Sequence, residues 1–119
     1  MSRYRKGRKT LKWLGDSLSI LRSWTKRVTW QMGSELLIVQ EGGVPSDWKP
    51  MVSIGWEVKE IRAHSEDGQY RVIYIAKFAE AVYVLHAFQK KTQKTSKHDL
   101  EVATRRFKEL EQRRRELGL

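Results

Sequence analysis

Lys90, Lys91, Lys94 and Lys97 follow one another with no acid until Asp99. They come directly after Val82-Tyr83-Val84-Leu85-His86-Ala87-Phe88, a β-branched and aromatic run suited to a buried strand. A strand that delivers clustered ammonium groups to its own end, beside a histidine, is suited to hold a polyanion. Phosphate is the nearest candidate. More charge sits upstream, on the runs Lys59-Glu60-Ile61-Arg62 and Tyr70-Arg71-Val72-Ile73-Tyr74. Alternate side chains of a strand point to opposite faces, so Glu60 and Arg62 share one face of theirs. Arg71 shares a face with Ile73 and Ile75, and His86 one with Val82, Val84 and Phe88. If Glu60, Arg62 and Arg71 face the same side of one sheet, they make a charged patch with the Lys90–Lys94 segment at its end.

The elements that must position these residues are readable in order. Thr10 to Leu14 is a short strand that Gly15 ends. Asp16 suits an N-cap for a short helix carrying Leu18 and Leu21, and Thr25 caps a second helix with Val28, Met32, Leu36 and Val39 at helical spacing. Gly42-Gly43 and Pro45 stop that helix, and residues 44–55 read as a loop. Three strands follow, at about 56–63, 70–78 and 81–89, as an antiparallel meander. Ser96-Lys97-His98-Asp99 fits a capping box, and Leu100, Ala103, Phe107 and Leu110 then stripe a helix to about Leu117. The predicted class is α+β, a small antiparallel or mixed sheet in the order β-α-α-β-β-β-α.

Composition narrows the partners. The 119 residues suffice for one domain with a real core. Lys+Arg number 24 against 14 Asp+Glu, for a net charge of +10, and the excess is concentrated at both ends. Residues 1–12 hold six basic side chains and no acid, whereas residues 13–87 are nearly balanced. This asymmetry favours nucleic acid or an acidic partner over a small neutral substrate. There is no cysteine, and His64, His86 and His98 are scattered, so neither a disulfide nor a metal site is expected. No apolar stretch follows the basic run Arg3 to Lys9, which predicts a cytoplasmic protein without membrane association. Residues 1–9 read as a mobile basic tail and 10–119 as a single domain.

Three runs together carry a family resemblance: Glu60-Ile61-Arg62, then Gly68-Gln69-Tyr70-Arg71-Val72-Ile73-Tyr74, then Val84-Leu85-His86-Ala87-Phe88-Gln89-Lys90-Lys91-Thr92-Gln93-Lys94-Thr95. With Trp13-Leu14-Gly15-Asp16-Ser17-Leu18 and Pro45-Ser46-Asp47-Trp48-Lys49-Pro50, the chain resembles the phage-derived HigB-like branch of the RelE/ParE toxin superfamily over about residues 10–110. The resemblance implies a type II toxin: an endoribonuclease that cuts mRNA, often on the ribosome, and is neutralised by a HigA-like helix-turn-helix antitoxin. It implies chemistry with no metal or cofactor, in which a ribose 2′-hydroxyl attacks the adjacent phosphate. It would assign Arg71 to the scissile phosphate and Lys90 and Lys91 to the developing charge or flanking backbone. Glu60 is then a candidate base, and His86 or His98 a candidate acid, because histidine exchanges a proton near neutral pH. Arg62, Lys94, Lys97 and His98 would hold RNA.

The better-known RelE toxins carry a lysine in place of Glu60 and a tyrosine in place of His98, and this chain has neither there. A second reading therefore stands beside the nuclease: a non-catalytic module that binds nucleic acid or an antitoxin through a degenerate site. In that reading Glu60 and Arg62 are a solvated ion pair and His86 a hydrogen-bonded core residue. Trp13, Trp24 and Trp30 are expected in the core, and Arg113-Arg114-Arg115 on a solvated helix face.

Overall fold

The computed structural model describes residues 7–90 and 94–119. Its elements are β1 (Thr10–Trp13), α1 (Ser17–Arg22), α2 (Lys26–Gln40), β2 (Trp48–Pro50), β3 (Val58–Ser65), β4 (Gly68–Ile75), β5 (Ala81–Lys90) and α3 (Lys97–Glu116). They form one five-stranded sheet in the order β1-β5-β4-β3-β2, antiparallel except for the parallel pair β1–β5. The fold is the expected α+β class with a mixed sheet and three helices. It adds one strand to the predicted order. Trp48-Lys49-Pro50, inside the expected loop, pairs with Ile61-Glu60-Lys59. Three residues with a terminal proline leave no periodicity to detect, and Pro is tolerated because β2 is an edge strand.

Helices cover both faces of the sheet. On one, Val28, Met32, Leu36 and Val39 of α2 meet Ile61, Val72, Tyr74, Val82 and Val84. On the other, Ala103, Phe107 and Leu110 of α3 meet Val58, Ile73, Ile75, Tyr83, Leu85 and Phe88. Trp13 and Trp24 pack against the first cluster, but Trp30 is 75% exposed. The reason is angular: two residues beyond Val28 is about 200° around a helix, on the side away from the stripe.

Two of the expected caps form. The Thr25 hydroxyl accepts from the Val28 N–H, and the Ser96 hydroxyl accepts from the Asp99 N–H. Asp16 does not cap α1 with its side chain; its carboxylate accepts from Arg106 of α3 at 2.8 Å instead. After α2 the chain reverses through Gly42 at φ +88°, and the Gly43 N–H returns to the Ile38 carbonyl. Ahead of β1, Arg8 pairs with Glu41 and the Lys9 N–H donates to the Gln40 carbonyl, which ties this segment to the end of α2. Among the described residues no helix is long and apolar enough to cross a membrane.

Strand parity holds in β3 and β4 but breaks in β5. Ile73 lies opposite His86, whereas Tyr74 lies opposite Val84, so Leu85 is an inserted residue without a partner of its own. Such a bulge shifts the alternation by one position. Val82 and Val84 therefore face α2, while His86 joins Phe88 on the α3 side, stacked on it at 5.0 Å. The expectation that His86 shares a face with Val82 and Val84 is corrected accordingly.

Candidate active site

The paired registers assemble one polar surface on the α3 side of the sheet, beyond the residues that α3 covers. Lys49 of β2 lies opposite Glu60 of β3, Arg62 opposite Arg71 of β4, and His64 opposite Gln69. Gln69 in turn lies opposite Lys90 at the end of β5. Residues far apart in sequence thus meet because β2, β3, β4 and β5 are in register, and the charged patch expected from alternation exists.

Its centre is buried. Glu60 is completely inaccessible, Arg71 is 2% exposed and Lys90 6%. Glu60 Oε1 lies 3.5 Å from Arg62 Nε and 3.8 Å from Arg71 Nη1, and Oε2 accepts from the Thr95 hydroxyl at 2.7 Å. Arg71 Nη2 donates to Gln69 Oε1 at 2.7 Å, but among the described residues its buried Nε–H has no acceptor. Burial pulls the Arg71 guanidinium below its ordinary pKa, with the Glu60 charge opposing and Arg62 adding to the fall. Burial also lowers Lys90, and Arg71 beside it lowers it further. Three cations thus crowd one carboxylate around an orphaned donor. A buried donor without a partner costs stability, so an incoming hydrogen-bond acceptor would be favoured here.

A groove of about 540 Å³ opens beside this cluster, bordered by Arg62, His64, Gln69 and Arg71 on the sheet and by Glu35 and Asp47 across from them. The Glu35 carboxylate is already engaged by the backbone N–H and hydroxyl of Ser46. The guanidinium of Arg62 is about one-third exposed and forms the accessible cationic rim.

His86 belongs to a different constellation. Its Nε2 lies 2.7 Å from Asp99 Oδ1 and its Nδ1 3.4 Å from Arg106 Nη1, and Arg106 also donates to the Leu85 carbonyl. Burial lowers the His86 pKa, with Asp99 opposing the shift. A guanidinium cannot accept, so Nδ1 is the accepting nitrogen and Nε2 carries the proton to Asp99. Both ring nitrogens are thereby committed to holding α3 on β5, one at its first turn and one midway along it. His86 and His98 border a second groove of about 510 Å³, lined by Trp24, Tyr70 and Phe88. Among the described residues no three His, Cys, Asp or Glu side chains converge as a metal site.

The remaining cations divide. Lys94 is exposed just before α3, and Lys97 and His98 are exposed on its first turn. Lys91 lies outside the described residues. Two members of the polar surface escaped the sequence reading, His64 and Lys49. Alternation from Glu60 and Arg62 would have found His64. Lys49 required knowing that β2 exists.

A family model described as "Phage derived protein Gp49-like (DUF891)" matches residues 19–108. The chain belongs to this phage-derived Gp49-like family. Gp49-like proteins are a toxin-like family, and the arrangement of this sheet and its helices is compatible with a RelE-like fold. The matched span of this Gp49-like chain contains every residue of the polar surface described above, from Lys49 to Lys90. No curated protein matches the chain.

Proposed function

We propose that this Gp49-like protein is the toxin of a type II toxin–antitoxin pair, of the HigB-like branch, and that its polar surface is a metal-independent endoribonuclease site for mRNA. One observation carries the reading: Arg71, buried with an Nε–H that has no partner among the described residues, sits among Arg62 and Lys90 with a single central carboxylate. That arrangement suits the dianionic charge that develops when a 2′-hydroxyl attacks the neighbouring phosphate. In this reading Arg71 and Lys90, with Lys91, hold the scissile phosphate, with Glu60 between them as the buried counter-charge. Arg62, Lys94, Lys97 and His98 hold flanking backbone. His86 acts as a positioning residue, fixing α3 through Asp99 and Arg106. The excess positive charge favours an RNA-rich target such as the ribosome, and an antitoxin of HigA-like, helix-turn-helix type would neutralise the toxin by covering Lys90 and its neighbours.

The closure of the site favours a second reading. With Glu60 inaccessible and Thr95 donating to it, the same surface suits a non-catalytic module that binds nucleic acid or antitoxin through its exposed cations. One experiment separates the two. Induced expression of the toxin should arrest growth and cut mRNA, leaving cyclic phosphate and 5′-hydroxyl ends in the presence of a metal chelator. Arg71→Ala should abolish cutting by about 10²–10³-fold, the scale for loss of one transition-state donor, with the fold retained by circular dichroism. Intact transcripts at high protein levels would decide for the binding module.

A further inference from the structure

Glu60, Arg62 and His64 alternate along β3 and so project to one face, each about 7 Å from the next. The register sets His64 opposite Gln69, the residue whose Oε1 accepts from Arg71 Nη2 at 2.7 Å. His64 borders the same groove as Arg62, Gln69 and Arg71, whereas His86 and His98 border the other one. The imidazole of His64 is exposed and makes no hydrogen bond or ion pair to another described residue. His86, by contrast, is buried with both ring nitrogens engaged. Proton transfer needs a group within hydrogen-bond reach of the reacting oxygen and free to change its protonation state.

We propose that His64 is the general acid of the ribonuclease site, an inference that rests on the ribonuclease reading above. A phosphate drawn to Arg71 and Arg62 carries its 5′-oxygen into the groove that His64 borders. The 2′-oxygen forms a bond to phosphorus as its proton passes to water in the groove. The phosphorus–O5′ bond breaks, and the imidazolium of His64 delivers its proton to the departing oxygen. The products are a 2′,3′-cyclic phosphate and a free 5′-hydroxyl. His64 then regains a proton from that water, so the site is restored with no net proton change. The division of labour follows from placement: Arg71 and Lys90 lie in the buried centre, where charge is strongest, and His64 on the open rim, where a proton can be replaced from solvent.

The test is single-turnover cleavage of an oligonucleotide that the wild-type toxin cuts, in its natural form and with the scissile 5′-oxygen replaced by sulfur. A thiolate leaves without protonation, so an acid catalyst is dispensable on the sulfur substrate. His64→Gln should slow cleavage of the natural substrate by about 10²-fold or more and cut the sulfur substrate at nearly the wild-type rate. His86→Gln, as a positioning variant, should lose rate on both substrates alike. Circular dichroism of each variant controls for folding. Equal losses of His64→Gln on the two substrates, or no loss on either while wild type cleaves, would overturn the assignment of His64 alone. Failure of the wild-type protein to cleave any RNA would overturn the ribonuclease reading, and the assignment of His64 with it.

Discussion

Glu60→Gln should destabilise the protein by about 3 kcal/mol, at the low end of the 3–5 kcal/mol expected when one partner of a buried ion pair is removed. Glu60 and Arg71 are both almost fully buried, with side-chain exposures of 1% and 3%. The neutral amide leaves the Arg71 charge without its carboxylate, next to Lys90 and Arg62. The low end applies because the Glu60–Arg71 contact, at 3.8 Å, is not a hydrogen bond and because the glutamine oxygen still accepts from Thr95. Arg62 is about one-third exposed and adds at most a few tenths of a kcal/mol. At about 2.1 cal/mol/K per residue, unfolding of a 119-residue chain converts each kcal/mol into about 4 °C. The melting temperature should therefore fall by about 12 °C. Urea denaturation at unchanged m-value measures the same loss. Sulfate should restore more stability to Glu60→Gln than to wild type, because the anion then replaces the missing charge instead of competing with it. The double variant Glu60→Gln with Arg71→Met should be more stable than Glu60→Gln alone, since the unopposed charge is gone. A single variant within 0.5 kcal/mol of wild type, or a double variant no better than the single one, would refute the picture of a buried cluster short of negative charge.

Three further variants test the electrostatics. The Glu80 carboxyl accepts from Arg114 at 2.7 Å and from the Tyr83 hydroxyl at 2.8 Å, which hold its pKa down to about 2 from 4.5. Its folded pKa is depressed, so the stability it contributes is complete above about pH 4.5 and is lost as pH falls toward 2. Glu80→Gln should cost about 1 kcal/mol at pH 7, and its stability should converge on wild type as pH falls through that window; a pH-independent gap in urea midpoints would contradict the assignment. Arg113→Ala should weaken binding of all RNAs slightly and lower the salt slope by about one unit at most, whereas Lys90→Ala should cost both affinity and cleavage rate. Equal rate losses for the two variants in single-turnover assays would mean that general attraction, not a site, explains the cationic surface.

Local chemistry made much of this molecule readable from its residues. Thr25 and Ser96 cap α2 and α3 because a hydroxyl at the N-cap accepts the same N–H in any fold. The stripes Val28–Val39 and Leu100–Leu110 bury because their spacing matches the helical period. Alternation alone set Glu60 with Arg62 and Arg71 with Ile73. What the sequence could not carry depended on partners distant along the chain. The unpaired Leu85 in β5 turns His86 toward α3 and away from Val82 and Val84, because a bulge is fixed by the register of two strands and not by the composition of one. β2 exists only because β3 offers an edge to three residues that would otherwise be loop. Asp16, fit to cap a helix by its own position, turns instead to Arg106, ninety residues away, since a guanidinium outcompetes a backbone N–H for a carboxylate. The burial of Arg71 and Lys90 against Glu60, and the opening of the groove beside His64, likewise arise where β2, β3, β4 and β5 come into register, and only the folded sheet decides them.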